Sequence, residues 1–209
     1  MISRMLAGAV VALALCGAAQ AQGLHAQGHQ AQGLGDCAWS NLSGAERSRV
    51  IEAYQRDAST AETVLRALDP QIQAAAARCE AHRGTPAAWV QIATGAEAIQ
   101  ASMAAALHQE RGLDRKALDA AWASAPADAK ACIRAAAAKS LGQPMPACAH
   151  PKTAIWLLKR LGIASDASQP GRQAFLYFTA KAHTEYIDRR IAKFEAGGDR
   201  APKTEPEGS

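Results

Sequence analysis

"TPAAWVQIATGAEAIQASMAAALHQERG", residues 85–112, decides the fold. It opens on Thr85–Pro86, and proline suits the first helical turn because the N–H it lacks would have no partner there. It closes on Gly112, the residue that ends a helix in left-handed backbone at least cost. Between them Trp89, Ile92, Ala96, Ile99, Met103 and Ala106 recur at spacings of 3, 4, 3, 4 and 3. That period draws one apolar stripe with coiled-coil-like spacing along a helix of about seven turns.

A helix this long needs partners, and the punctuation on both sides supplies them. "SGAE" at Ser43–Glu46 is a capping box ahead of Val50, Ile51 and Tyr54. "STAE" at Ser59–Glu62 repeats it ahead of Val64, Leu65 and Leu68. Asp69–Pro70 opens a helix expected to close at Gly84. Asp114 starts a short helix through Trp122, and Pro126 another that stops before Gly142. "PKTAIWLLKRLG" reads as a helix from Pro151 to Gly162. The last runs from about Gly171 to Ala196, with Leu176, Ala180, His183, Ile187, Ile191 and Phe194 along one face. No segment alternates β-branched with polar residues, and Asn-Gly and Asp-Gly are absent. The expectation is all-α: a single compact, disulfide-stabilised domain of seven or eight amphipathic helices over residues 36–196.

Trp89, Trp122 and Trp156 lie 33 and 34 residues apart, near the period of a helical-hairpin repeat. The Leu-Gly pair such a repeat wants after its Trp is missing, so the tryptophans read as core anchors. Alanine is abundant on the helices, and helices meeting through Ala can approach to about 8 Å. Such contacts leave little room for a bulky buried cofactor, and none is expected. They favour recognition on a surface or in a groove.

The N-terminus sets the expected compartment. Arg4 precedes the small, apolar run "MLAGAVVALALCGAA", residues 5–19, and Ala19-Gln20-Ala21 completes an A-x-A cleavage site. The run is too short for a comfortable membrane span. Residues 1–21 therefore read as a signal peptide removed near Ala21, which would discard Cys16. The rival, lipidation of Cys16, wants a small residue before it, where Leu15 stands. The expected product is periplasmic or secreted, with no stable membrane insertion. Residues 22–35, "QGLHAQGHQAQGLG", read as a flexible spacer, and residues 197–209 as a disordered Pro/Gly tail.

Export changes the cysteine reading. Cys37, Cys79, Cys132 and Cys148 remain, which suggests two disulfides in an oxidising space. Of three connectivities, Cys37–Cys79 with Cys132–Cys148 is favoured, though sequence alone does not settle it. A competing reading puts Cys79, His82, Cys148 and His150 around a tetrahedral metal such as zinc. Both cannot hold at once. His25 and His29, spaced i, i+4, would form a weak metal pair only if the glycine-rich spacer became helical.

Charge is uneven. Residues 22–113 carry seven arginines, no lysine and nine acids, whereas residues 114–196 carry thirteen basic and seven acidic side chains. A basic half could meet an anionic cell-envelope component, with Arg172, Arg189 and Arg190 as candidate contacts. Aromatic residues are 5% of the chain and do not interleave with basic clusters, so nucleic acid is not an expected partner. G-x-S-x-G, H-E-x-x-H, P-loop and C-x-x-C-H motifs are absent. "GLGDCA" at residues 33–38 imitates a dinucleotide fingerprint, but it follows a spacer where the fingerprint needs a strand. His183, with a carboxylate from a neighbouring helix, is the one candidate catalytic group. The sequence thus favours a noncatalytic binding module of the cell envelope. A hydrolase-type enzyme with a dispersed His/carboxylate site is the alternative, and a metal-binding protein the second.

Overall fold

Helix follows helix wherever the sequence placed caps. The computed structural model describes residues 33–82, 84–140, 155–164 and 167–197, and among these there is no strand. Nine α-helices lie within them: α1 (Leu34–Asn41), α2 (Gly44–Arg56), α3 (Ala58–Ala67), α4 (Asp69–Ala76), α5 (Ala87–Arg111), α6 (Arg115–Ser124), α7 (Ala127–Ser140), α8 (Ile155–Arg160) and α9 (Gln169–Glu195). A 3-10 turn, Glu80–His82, follows α4. The all-α, single-domain, disulfide-stabilised expectation holds, with one helix more than the upper count. No helix of the described residues is long and apolar enough to cross a membrane. The expected signal peptide, tail from residue 198, His25 and His29 lie outside the described residues.

The caps explain the boundaries. Ser43 and Glu46 form the capping box reciprocally, through Glu46 N–H to Ser43 Oγ at 3.2 Å and Ser43 N–H to Glu46 Oε2 at 2.7 Å. The second expected box moves. Asp57 receives both the Thr60 N–H and the Thr60 hydroxyl at 2.7 Å, so α3 starts at Ala58 and Ser59 lies inside it. An ionised carboxylate at a helix N-terminus outcompetes a hydroxyl two residues later. α4 ends at Ala76, short of the expected Gly84, and the 3-10 turn carries the chain onward.

α5 and α9 run antiparallel through the middle and make the most extensive helix pair. They divide the interior into two apolar clusters. The first joins the N-terminal half of α5 and the end of α9 to α1–α4, through residues such as Leu34, Val50, Ile72, Val90 and Ile187. The second joins the C-terminal half of α5 and the start of α9 to α6–α8, around Leu107, Leu118, Trp122, Ile133 and Phe178. The two long helices are buried on more of their surface than the stripes implied. Ile92, assigned inward, is 41% exposed, as is Leu176 at 49%, whereas Glu97, Gln100 and Thr94 are buried.

α1 is the helix the sequence did not reveal, because residues 22–35 resemble a spacer. Leu34 is fully buried and helical, two residues before the expected domain start. Its glycines serve packing. A Cβ on Gly35 would overlap the carbonyl oxygen of Ala93 on α5 and stand 2.9 Å from its carbonyl carbon. A Cβ on Gly33 would lie 2.6 Å from Asp188 Oδ2 on α9. The Asp188 carboxylate of α9 thus faces the first turn of α1, where Gly33 offers no capping side chain; burial pushes its pKa up, and the Leu34 N–H draws it partly back. "GLGDCA" is a close-packing motif. Because α5 backbone cannot retreat, Gly35→Ala should cost about 1–3 kcal/mol, read as a lower denaturant midpoint at unchanged m-value. A neutral Gly35→Ala would show that α1 can slide on α5.

Candidate functional site

Cys37 on α1 and Cys79 after α4 form a disulfide, 42 residues apart in sequence. Asn41 Nδ2 lies 3.5 Å from Cys37 Sγ and 3.8 Å from Cys79 Sγ, and Arg78 Nη2 donates to the Asn41 carbonyl at 2.8 Å. The end of α1 is therefore fastened to the end of α4. Cys132 on α7 is also disulfide-bonded, and its expected partner Cys148 lies outside the described residues. The metal reading is overturned at Cys79: a sulfur in a disulfide has no thiolate to offer. His82 turns elsewhere, its Nδ1 3.2 Å from Glu195 Oε1. His150 lies outside the described residues, among which no group of three or more His, Cys, Asp or Glu side chains is placed to hold a metal.

A charged network crosses the middle of the molecule. Glu97, 1% exposed, sits on the face of α5 turned to α9 and pairs with Arg115 at the start of α6. Arg115 is also 3.8 Å from Asp119. Asp119 in turn accepts from Lys181 Nζ and from Tyr177 Oη, both at 2.8 Å. Gln100 Nε2 lies 3.3 Å from Glu97 and donates to Thr184 Oγ1 at 2.8 Å. Burial pushes the Glu97 carboxyl up, and the Arg115 guanidinium draws it partly back. Burial also raises the Tyr177 phenol, reinforced by Asp119. Two acids face two bases here, with each charge matched, which describes an internal tie between α5, α6 and α9.

His183 Nε2 lies 2.9 Å from the Ala137 carbonyl, so that nitrogen carries the proton and donates. Burial holds its pKa below the usual imidazole value, partly offset by that bond. The carboxylate nearest in sequence, Glu185, is engaged otherwise. It accepts from Trp122 Nε1 at 2.6 Å and from Arg134 Nε and Nη2 at 3.0 and 2.8 Å. Glu185 thereby ties α9 to α6 and α7. Trp122 is the core anchor expected of it, stacked 6.0 Å from Phe178.

The basic face resolves into separate places. Arg172 bonds the Ala167 carbonyl and lines an open groove of about 680 Å³ together with Glu110, Gln109, Gln173 and Tyr54. It stands 17 residues from Arg189 along one helix, about 25 Å. The three candidate arginines therefore do not form one surface. Arg189 and Arg190 join Arg134, Lys193, Tyr186, Ala138 and Ala182 around a second groove, about 310 Å³, between α7 and α9. Among the described residues four cations line it and no carboxylate does. Arg190 also lies over the Trp89 ring at 5.8 Å. Sequence reasoning missed Lys193, Tyr186 and Arg134. The first two were legible, because Ala182, Tyr186, Arg189, Arg190 and Lys193 fall at i, i+4, i+7, i+8 and i+11 on one helix face. Arg134 was not, since nothing local announces that α7 packs beside α9.

Fold and groove together define a class: an all-α, disulfide-bonded helical domain with a cation-lined groove between two helices. No protein-family model, curated protein or solved structure matches the chain.

Proposed function

We propose that this protein is an exported, noncatalytic binding protein of the cell envelope, which holds an anionic partner in the groove between α7 and α9. One observation carries the reading. The carboxylates along the last part of α9 do not line the groove: Glu185 is held by Trp122 and by the groove's own Arg134, Asp188 faces the start of α1, and Glu195 lies against His82. Arg189 and Lys193 have no ion-pair partner among the described residues. A helix C-terminus carries only about half a negative charge, so the dipole cannot balance them. Surplus positive potential in a groove is what attracts an anion. The Cys37–Cys79 disulfide supports the compartment, since such bonds persist in oxidising spaces. No observation favours the hydrolase-type alternative, because His183 Nε2 meets a carbonyl and Glu185 is taken by a tryptophan and an arginine.

The test is a titration of isotope-labelled protein with two anions, decanoate and polyphosphate. At least one should perturb the backbone amides of residues 182–193 saturably, with affinity that falls as sodium chloride rises. Arg189→Ala/Lys193→Ala should abolish most of the response while leaving the helical circular dichroism unchanged. If neither anion binds, or the double variant binds as well as the parent, the reading fails.

A further inference from the structure

The two ends of the α7/α9 groove differ in character, and this limits what kind of anion fits. At 1.5 Å per residue, the lining positions of α9 from Ala182 to Lys193 span about 16 Å. Ala182 marks one end, where Ala138 of α7 also lines the groove. Tyr186 stands one turn further on and is half-buried. Arg189, Arg190 and Lys193 crowd the other end. Arg134 lines the groove from α7, but its charge is answered by Glu185 at 2.8 Å. Among the described residues, the unanswered charge therefore lies at one end, on Arg189 and Lys193, and methyl and ring surface lies at the other. A volume of about 310 Å³ is at the lower limit of pockets that enclose a small ligand.

A polyanion makes different demands. It repeats its charge every few ångströms and needs a track of cations to match. Arg172 could have extended such a track, but it sits about 25 Å away along α9, in a groove that also presents Glu110. Building on the anion-binding reading above, we infer that the groove takes a single-headed amphipathic anion. Its carboxylate would lie between Arg189 and Lys193, and its alkyl body over Tyr186 towards Ala182 and Ala138. Guanidinium pairs with a planar carboxylate through two parallel bonds, and the ammonium adds a point charge from the side. The alkyl body gains by leaving water.

Calorimetry with acetate, hexanoate, octanoate and decanoate separates the two contributions. Affinity should climb about fourfold per methylene for each group that leaves water, and level off once the chain outgrows the groove. Arg189→Ala/Lys193→Ala should weaken decanoate about tenfold or more, the loss expected for charge-assisted bonds, while the increment per methylene persists. Decyltrimethylammonium, with a similar chain and the opposite charge, should not bind. Affinity independent of chain length, or polyphosphate binding without decanoate binding, overturns the amphiphile while leaving an anionic partner intact. Equal binding of decyltrimethylammonium overturns the charged head. Failure of every anion removes the amphiphile and the anionic-partner reading together.

Discussion

Arg115→Met is expected to lower stability by about 3 kcal/mol at neutral pH, and far less in mild acid. Glu97 is the reason. Its carboxylate is 1% exposed, and its charge is answered by Arg115, with only the Gln100 amide close by on its own helix. Removing one partner of a buried pair leaves the other as an uncompensated charge, which typically costs about 3–5 kcal/mol. The lower figure applies because Arg115 is itself 37% exposed and Gln100 remains beside Glu97.

The sign with pH follows from Glu97. Burial raises its folded-state pKa above the ordinary carboxyl value of 4.5, and Arg115 opposes that rise. A carboxyl with a raised folded pKa favours the native state most when protonated. Its contribution is fully present below the unfolded value and lost as pH climbs through the folded one. Without Arg115 the folded pKa rises further, so the variant should lose stability across a wider range above 4.5. Glu97→Gln should cost much less, about 1 kcal/mol, because Arg115 keeps Asp119 and partial access to water. The double variant Glu97→Gln/Arg115→Met should then recover much of the single-variant loss. Denaturant melts of the four proteins at acid, neutral and alkaline pH decide this. A deficit in Arg115→Met that is constant with pH would show that packing of the arginine stem, and not the charge of Glu97, sets the cost.

That same carboxylate marks how far the sequence could be read. Caps with a side-chain oxygen at the right offset, such as Ser43 and Asp114, were legible because they act over three residues. Gly112 was legible for the same reason, and it ends α5 at φ +69°. The inward face of α5 was legible only in part. Counting apolar residues assigns Glu97 and Gln100 to solvent and Ile92 to the core, yet a polar layer between two long helices reverses both. Such a layer is formed by residues far apart in sequence, and no local period reveals it. α1 was hidden by the glycines that make it possible. They suit close approach to Ala93 and Asp188, and out of context they suit a linker equally well. The groove divides likewise: its α9 wall follows from helical periodicity, whereas Arg134 and the diversion of Glu185 require knowing which helices are neighbours.

Replacing Cys37 and Cys79 together by alanine is expected to cost about 4 kcal/mol, the chain-entropy value for a loop of this length. In a domain of about 150–170 residues that corresponds to a fall in Tm of roughly 8–16 °C. The loss should be local first. α1 has eight residues, too few to persist as an isolated helix, and it is held by Gly35 against α5, by Asp188 facing its start and by the disulfide at its middle. Without the crosslink, amides of residues 34–41 should exchange with solvent well before those of α5 or α9. The consequence reaches the groove, because the Asp188 carboxylate that faces the start of α1 is one residue from Arg189. Release of α1 would free that carboxylate beside the cations and weaken anion binding. The double variant should therefore bind decanoate less tightly even at temperatures where it remains folded. Intact mass closes the argument on compartment: protein recovered without reductant from an oxidising space should begin at Gln22 and lack four hydrogens. A chain that retains Met1–Ala21, or carries lipid on Cys16, would displace the export reading. Uniform exchange across all nine helices would instead show that α1 and the bundle unfold as one unit.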